Sequence, residues 1–282
     1  MFYHEYPPPP PLNAYIRCFW MLEHDYREPF HTHEHLWADT HTELILSWGE
    51  RYYRKSEENK GRKIGLSQNF VIGPQLKQLL LYSNGFTALV AARFHPWGLT
   101  AFSKVTPADL VDRVIPAAQV LGSDTATLAA RLATESTSDT KLRLFIDHLL
   151  HTRRRPDTDF ETIRRVTAEL QLHHGTQRIA LLARQFGISP RQLERQFTGL
   201  TGLPPKLFAK ILRFNHAREL IQENPDISLA SVAYEVGYAD QAHFSRNFRA
   251  FFQFTPAQFK ARIKAFQSSS NAVDRDVAFV QD

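Results

Sequence analysis

The sequence predicts an α+β protein in two parts. The first is an antiparallel β-barrel or sandwich with appended helices; the second is all-α, with two helix-turn-helix units joined by a linker helix. Three observations predict this. Short apolar runs of strand length, punctuated by glycine and proline, fill residues 12–100. The apolar spacing turns helical from Thr106 onward. The C-terminal third resembles itself at offsets of 50 and 51 residues.

A length of 282 residues suits two domains. With 43% hydrophobic and 22% charged residues, each part can bury a core in the manner of a soluble globular protein. The single cysteine, Cys18, excludes a disulfide framework and a cysteine-based zinc site, and fits a reducing cytoplasm. The start, MFYHEYPPPPPL, lacks the pattern of a secretory signal. No apolar run approaches the roughly 20 residues that span a bilayer, so no membrane segment is expected. The net charge is +5. Residues 157–264 hold 15 Lys+Arg against 10 Asp+Glu, a surplus as large as that of the whole chain. A polyanion partner would therefore meet the C-terminal part.

Pro7 to Pro11 form a stiff extended entry. TELILSW (42–48) and ALVAARF (88–94) are apolar and bounded by turn signals. Asn84-Gly85 is a tight-turn pair, expected to join a strand near 76–82 to one near 86–94. Thr106-Pro107 reads as a helix N-cap followed by proline at the first helical position. Two more helices are expected over 124–134 and 139–151. RRRPDTD (153–159) is charged and broken by Pro156, and reads as a hinge. The domains are thus placed at 1–152 and 157–267, with a disordered tail over 268–282.

In the repeat, Ile179–Gly187 lies over Leu229–Gly237 at an offset of 50. Ala183 meets Ala233 and Gly187 meets Gly237. After a one-residue insertion the offset is 51, and Leu193, Phe197, Pro205 and Phe208 meet Phe244, Phe248, Pro256 and Phe259. In each copy a short helix carries a small residue that allows close approach of a second helix. A glycine then supplies the left-handed turn, and a new helix starts at Ser189-Pro190 or near Asp240. Two such units in register, each with a basic second helix, mark a helix-turn-helix used twice. Apolar spacing turns Leu193 and Phe197 inward in the first reading helix, leaving Arg191, Gln192, Glu194, Arg195 and Thr198 on other faces. In the second, Phe244 and Phe248 face inward, leaving Gln241, Ala242, His243, Ser245, Arg246, Asn247 and Arg249. Arginine can grip guanine bidentately, glutamine can grip adenine, and glutamate can accept from cytosine. A solvated face with surface ion pairs is the plainer reading of any single one. Residues 205–223 form one helix of roughly 27 Å at ~1.5 Å per residue, against ~34 Å between successive major grooves. Lys206, Lys210 and Arg213 on it are candidates for phosphate contact or simple solvation.

At these residues the chain resembles the AraC/XylS family of bacterial transcription regulators. The words that carry the resemblance are IALLARQFGISPRQLERQF, ILRFNHARELI and SVAYEVGYADQAHFSRNFRAFFQFTPAQF, within about 157–260. It implies sequence-specific binding to bent double-stranded DNA, with Arg191, Glu194 and Arg195 reading in one unit and Ala242, His243 and Arg246 in the other. Two positions depart from the family pattern. Ala242 stands where a polar reader is usual, and Gln253 replaces the glycine that Gly202 keeps in the first unit. In the N-terminal half PLNAYIRCFWMLE, HTELILSWG, FVIGP and ARFHPWGLTAF resemble the sensor domains of a less characterised branch, which implies a cupin-like β domain.

Within that half Trp20, Trp48, Tyr52, Phe94, His95 and Trp97 form an aromatic-rich set, candidates either for an effector pocket or for ordinary core. His31, His33 and His35 alternate, with His41 and Glu43 nearby. They are the only metal candidates, and an exposed histidine-rich loop is the favoured reading. No phosphate loop, nucleophile elbow or paired-carboxylate pattern occurs, so neither enzymatic activity nor a cofactor is expected. The alternative from another class is a metal-dependent cupin-type enzyme fused to a DNA-binding tail. The expected partners are double-stranded DNA, a small-molecule effector and RNA polymerase, with the chain a monomer or homodimer that helices in 106–151 could join.

Overall fold

The computed structural model describes residues 2–27, 33–56, 62–154 and 160–269. Among the described residues, ten strands form two antiparallel sheets. The larger contains β1 (Phe2–Tyr6), β2 (Ile16–Asp25), β4 (Thr42–Gly49), β7 (Asn69–Ile72), β9 (Phe86–Phe94) and β10 (Val114–Pro116), in the order β1-β2-β9-β4-β7-β10. The smaller contains β3 (His33–Leu36), β5 (Tyr53–Ser56), β6 (Arg62–Gly65) and β8 (Leu79–Tyr82), in the order β3-β8-β5-β6.

The central strands are buried on both faces, which is why they read as apolar runs rather than alternating ones. Alternate residues still divide the cores. Phe19, Met21, Leu44, Leu46, Val90, Ala92 and Phe94 face helices α1 (Ala117–Leu121), α2 (Asp124–Thr134) and α3 (Ser138–Thr152). Cys18, Trp20, Leu22, Ile45, Leu89 and Ala91 face the smaller sheet. Arg93 is the exception among these hydrophobic residues. It is buried on β9, and its Nε donates to Glu43 Oε1 of β4 at 2.6 Å. A buried cation is held at such a site only by a hydrogen-bonded partner.

Two local expectations change. Asn84-Gly85 does not join a hairpin, because β8 pairs with β3 and β5 whereas β9 pairs with β2 and β4. The turn is a corner between sheets, taken where the chain leaves the small sheet for the buried centre of the large one. Thr106-Pro107 opens a single 3-10 turn, Pro107–Leu110, without a side-chain cap bond, instead of a full helix. The helices expected over 124–134 and 139–151 are α2 and α3.

The C-terminal helices are α4 (Glu161–Leu172), α5 (Ile179–Gln185), α6 (Pro190–Thr201), α7 (Pro205–Glu223), α8 (Leu229–Glu235), α9 (Gln241–Phe252) and α10 (Pro256–Ser269). Helix α10 runs two residues into the stretch assigned to the tail; 270–282, and 155–159 of the hinge, lie outside the described residues. The repeat extends upstream of where the sequence analysis began it. At the same offset of 51, Ile163, Val166 and Leu170 of α4 correspond to Phe214, Ala217 and Ile221 of α7, and all six are buried. Each unit is therefore three helices, α4-α5-α6 and α7-α8-α9, and α7 is both the linker and the first helix of the second unit.

Candidate nucleic-acid interface

The two reading helices start alike. Ser189 Oγ accepts from Gln192 N at the head of α6, and Asp240 Oδ1 accepts from His243 N at the head of α9. The turns before them pass through Gly187 (φ 68°) and Gly237 (φ 77°). The preceding helices lie close to their partners over Ala183 and Ala233, both buried.

Leu193, Phe197 and Leu200 anchor α6; Phe244, Phe248, Phe251 and Phe252 anchor α9. Arg191, Glu194 and Arg195 are exposed on α6, and Gln192 is half-buried. On α9, Gln241, Ala242, His243, Arg246 and Arg249 are exposed. No ion pair among the described residues engages Arg191, Arg195, Arg246 or Arg249. Asn247 is less available, because its Nδ2 donates to His243 O one turn back at 3.0 Å.

Of the three linker cations, only Lys206 is exposed. Lys210 Nζ lies over the Phe214 and Phe251 rings at 5.9 and 5.2 Å, and burial together with the Arg213 charge lowers its pKa. Arg213 is half-buried over Tyr238. Sequence reasoning could not separate these three, because spacing on α7 does not show what packs over it.

A groove of about 750 Å³ runs along α6, lined by Pro190, Arg191, Glu194, Arg195, Thr198 and Gly199. Its other wall is Thr106, just before the 3-10 turn, and Ala108 within it. The N-terminal domain therefore borders the first reading face itself, with Arg191, Glu194 and Arg195 all on the shared groove.

The N-terminal candidates do not converge. Trp20 and Tyr52 lie between the sheets, Phe94 and Trp48 lie on the opposite side of the large sheet, and Trp97 packs in the C-terminal core. The single aromatic pocket is thus divided by strand alternation, with Trp20, Tyr52, Phe94 and Trp97 all closed from solvent. His95 stacks on Trp97 at 4.9 Å, and burial pushes its pKa down to about 4. Among the metal candidates, His31 lies outside the described residues, and His33 and His35 stand on β3 opposite Tyr82 and Leu80. His41 Nδ1 lies 2.9 Å from Asp39 Oδ1, and Glu43 is engaged by Arg93. Among the described residues no group of three His, Cys, Asp or Glu side chains is placed to hold a metal.

Between the sheets Glu34 is buried. Tyr52 donates to its Oε1 at 3.2 Å, and burial raises its pKa to about 8. Neither it nor Trp37 or Arg218 stood out in the sequence.

Residues 182–262 match a helix-turn-helix domain family, and residues 4–116 match a domain of unknown function (DUF6597). The HTH-type transcriptional regulator GlxA of Rhizobium meliloti (strain 1021) is 37% identical over 81 residues, 29% of this chain and 25% of GlxA. The HTH-type transcriptional activator RhaS of Escherichia coli (strain SE11) is 37% identical over 79 residues, 28% of each chain. The similarity thus spans about a quarter of the length of these relatives. A solved transcriptional regulator with an AraC-type DNA-binding domain, from Chromobacterium violaceum, covers 39% of this chain and 95% of its own at 25% identity, with a TM-score of 0.34. Fold, repeat and matches define the class: a double helix-turn-helix protein carrying a β-rich N-terminal domain. In that C-terminal domain the chain resembles the AraC/XylS family of transcription regulators.

Proposed function

We propose that this protein is a sequence-specific transcription regulator that reads two successive major grooves of one duplex. One observation carries the reading: two reading helices of matching architecture, at either end of a unit held together by α7, present exposed arginines that no carboxylate among the described residues neutralises. Arg191, Gln192, Glu194 and Arg195 face one groove; Gln241, Ala242, His243, Arg246 and Arg249 face the next. Asn247 positions α9 rather than reading a base. Lys206 takes a phosphate, while Lys210 and Arg213 brace the linker.

The N-terminal domain, residues 1–152, senses a small molecule and does no chemistry. GlxA and RhaS are described as a transcriptional regulator and a transcriptional activator. On this reading the chain acts in the cytoplasm and, as an activator like RhaS, engages RNA polymerase. No helix among the described residues is long and apolar enough to cross a membrane.

Genomic footprinting of the purified protein, followed by mobility shifts on the recovered sites, tests this. The expected result is a bipartite site with two contacted segments about one helical turn apart, and an affinity that falls steeply with salt. Equal affinity for all duplexes of the same length overturns it.

A further inference from the structure

The N-terminal domain touches both helix-turn-helix units near the C-terminal ends of their reading helices. On the second unit the Trp37 indole is 8% exposed within the C-terminal core. It stands edge-on to Phe252, Phe254 and Phe259 at 5.6, 6.0 and 5.9 Å. The Arg218 guanidinium of α7 covers it at 5.6 Å, Asn215 Nδ2 donates to Ala38 O at 3.0 Å, and the Asp39 carboxylate attracts Arg218. On the first unit the 3-10 turn 107–110 lies against the end of α6. A Cβ built at Gly202 would sit 2.6 Å from Pro107 O, so the approach requires glycine.

The repeat shows that these contacts are particular to each copy. The residues that receive the segment 37–39 are Asn215 and Arg218 of α7, Phe252 of α9, Phe254 just beyond it and Phe259 of α10. At an offset of 51 their counterparts are Arg164, Thr167, Thr201, Leu203 and Phe208. Four of the five differ, and each change suits the segment: a cation and two aromatic rings for the indole, an amide for the carbonyl. Gly202 and Gln253 are also counterparts, both left-handed at φ 77° and 65°. Gly202 meets the Pro107 carbonyl, whereas Gln253 lines a groove of about 700 Å³ shared with Gln78 and Leu80 of the N-terminal domain. The departure from glycine thus falls where the same close approach is absent.

We infer that the N-terminal domain is a clamp that sets the spacing of the two reading helices, with Trp37 and Arg218 as its determinants on the second unit. One helix between two units leaves a bending mode, and a small bend at α7 moves the far reading helix relative to the near one. A second tie, from the 3-10 turn on α6 to Trp37 between α7, α9 and α10, removes that mode. The protein then discriminates among sites by the distance between their two halves as well as by their bases. The segment joins β3 directly to the second unit, since Glu34 and Trp37 are three residues apart. A rearrangement between the sheets therefore reaches the reading helix through a few bonds.

The consequence for spacing rests on the DNA-reading proposal; the clamp itself can be tested without DNA. Spin labels at Arg184→Cys and Glu235→Cys, exposed on α5 and α8, report the distance between the units in the full chain. The native Cys18 is buried, its thiol pushed up to about 12, and stays unlabelled. Trp37→Ala and Arg218→Met should each widen the distance distribution about twofold while helix content is kept. Widths equal to the parent in both variants overturn the clamp. Should Trp37→Ala fail to fold, Arg218→Met, which keeps the stem and loses the charge, decides alone. On a recovered site with one base pair added between its halves, the parent should lose about tenfold in affinity and the variants clearly less. Equal losses overturn the spacing role. A parent that binds no site selectively overturns the DNA-reading proposal and leaves the label result to judge the clamp.

Discussion

The Arg213 guanidinium lies 5.5 Å from the centre of the Tyr238 ring, and the same ring meets the His243 imidazole edge-on at 5.2 Å. A residue of the linker helix thus supports a residue of the second reading helix through one aromatic ring. Tyr238→Ala should destabilise the protein by about 2–4 kcal/mol, as expected for emptying a nearly buried aromatic site. Tyr238→Phe should cost less than about 1 kcal/mol, because the hydroxyl has no hydrogen-bond partner among the described residues. Urea unfolding separates the two. Comparable losses for both variants would show that the hydroxyl, rather than the ring, is what holds the stack.

Arg195→Ala and Arg246→Ala should each weaken binding to a recovered site by about 1–3 kcal/mol and relax base preference only at their own end of it. Lys206→Ala should weaken all sequences alike and lower the salt slope by about one. Titrations at several salt concentrations, on native and base-substituted sites, distinguish reading from positioning.

Stability should fall with rising pH because of Glu34. Its pKa is raised in the folded state, to about 8 from 4.5, chiefly by burial, with the Glu43 charge adding to burial and the Tyr52 hydrogen bond opposing it. The folded state therefore holds a proton that the unfolded state releases. The contribution is fully present below about pH 4.5 and is lost as pH rises through about 8. Glu34→Gln should flatten that part of the profile and stabilise the chain near pH 8 by on the order of 1–3 kcal/mol. Chemical unfolding of both proteins across pH 5–9 checks it; parallel profiles would remove Glu34 as the cause.

The counterparts Gly202 and Gln253 should respond oppositely to substitution. Gln253→Gly relieves a left-handed side chain and should stabilise by about 0.5–1 kcal/mol. Gly202→Ala brings a methyl against Pro107 O and should cost about 1–3 kcal/mol. Thermal unfolding of the two variants is the measurement, and a neutral Gly202→Ala would mean that the 3-10 turn yields easily.

Much of the C-terminal domain is written locally, which is why it was legible. Caps at Ser189 and Asp240, the glycines at 187 and 237, the 205–223 helix and the inward Leu193, Phe197, Phe244 and Phe248 each follow from neighbours a few residues away. The exposed and buried faces of α6 and α9 were legible for the same reason: period 3.6 sorts exposed from buried on a helix. The sequence alone also determined that one backbone is used twice, and that the basic surplus lies with that backbone.

Tertiary structure decided what depends on residues distant in the chain. The Asn84-Gly85 turn is sequence-local, but the sheet that β8 enters is set by pairing with residues 33–36 and 53–54. The aromatic set reads as one group along the chain and falls into three cores: adjacent strand residues point to opposite faces of the large sheet, and Trp97, beyond the end of β9, packs in the C-terminal core. Trp37 and Arg218 are 181 positions apart, and no local pattern marks a tryptophan that packs in another domain's core. The two reading helices could therefore be named from the sequence. What holds them at one spacing could be read only from the packing of the β domain across both units.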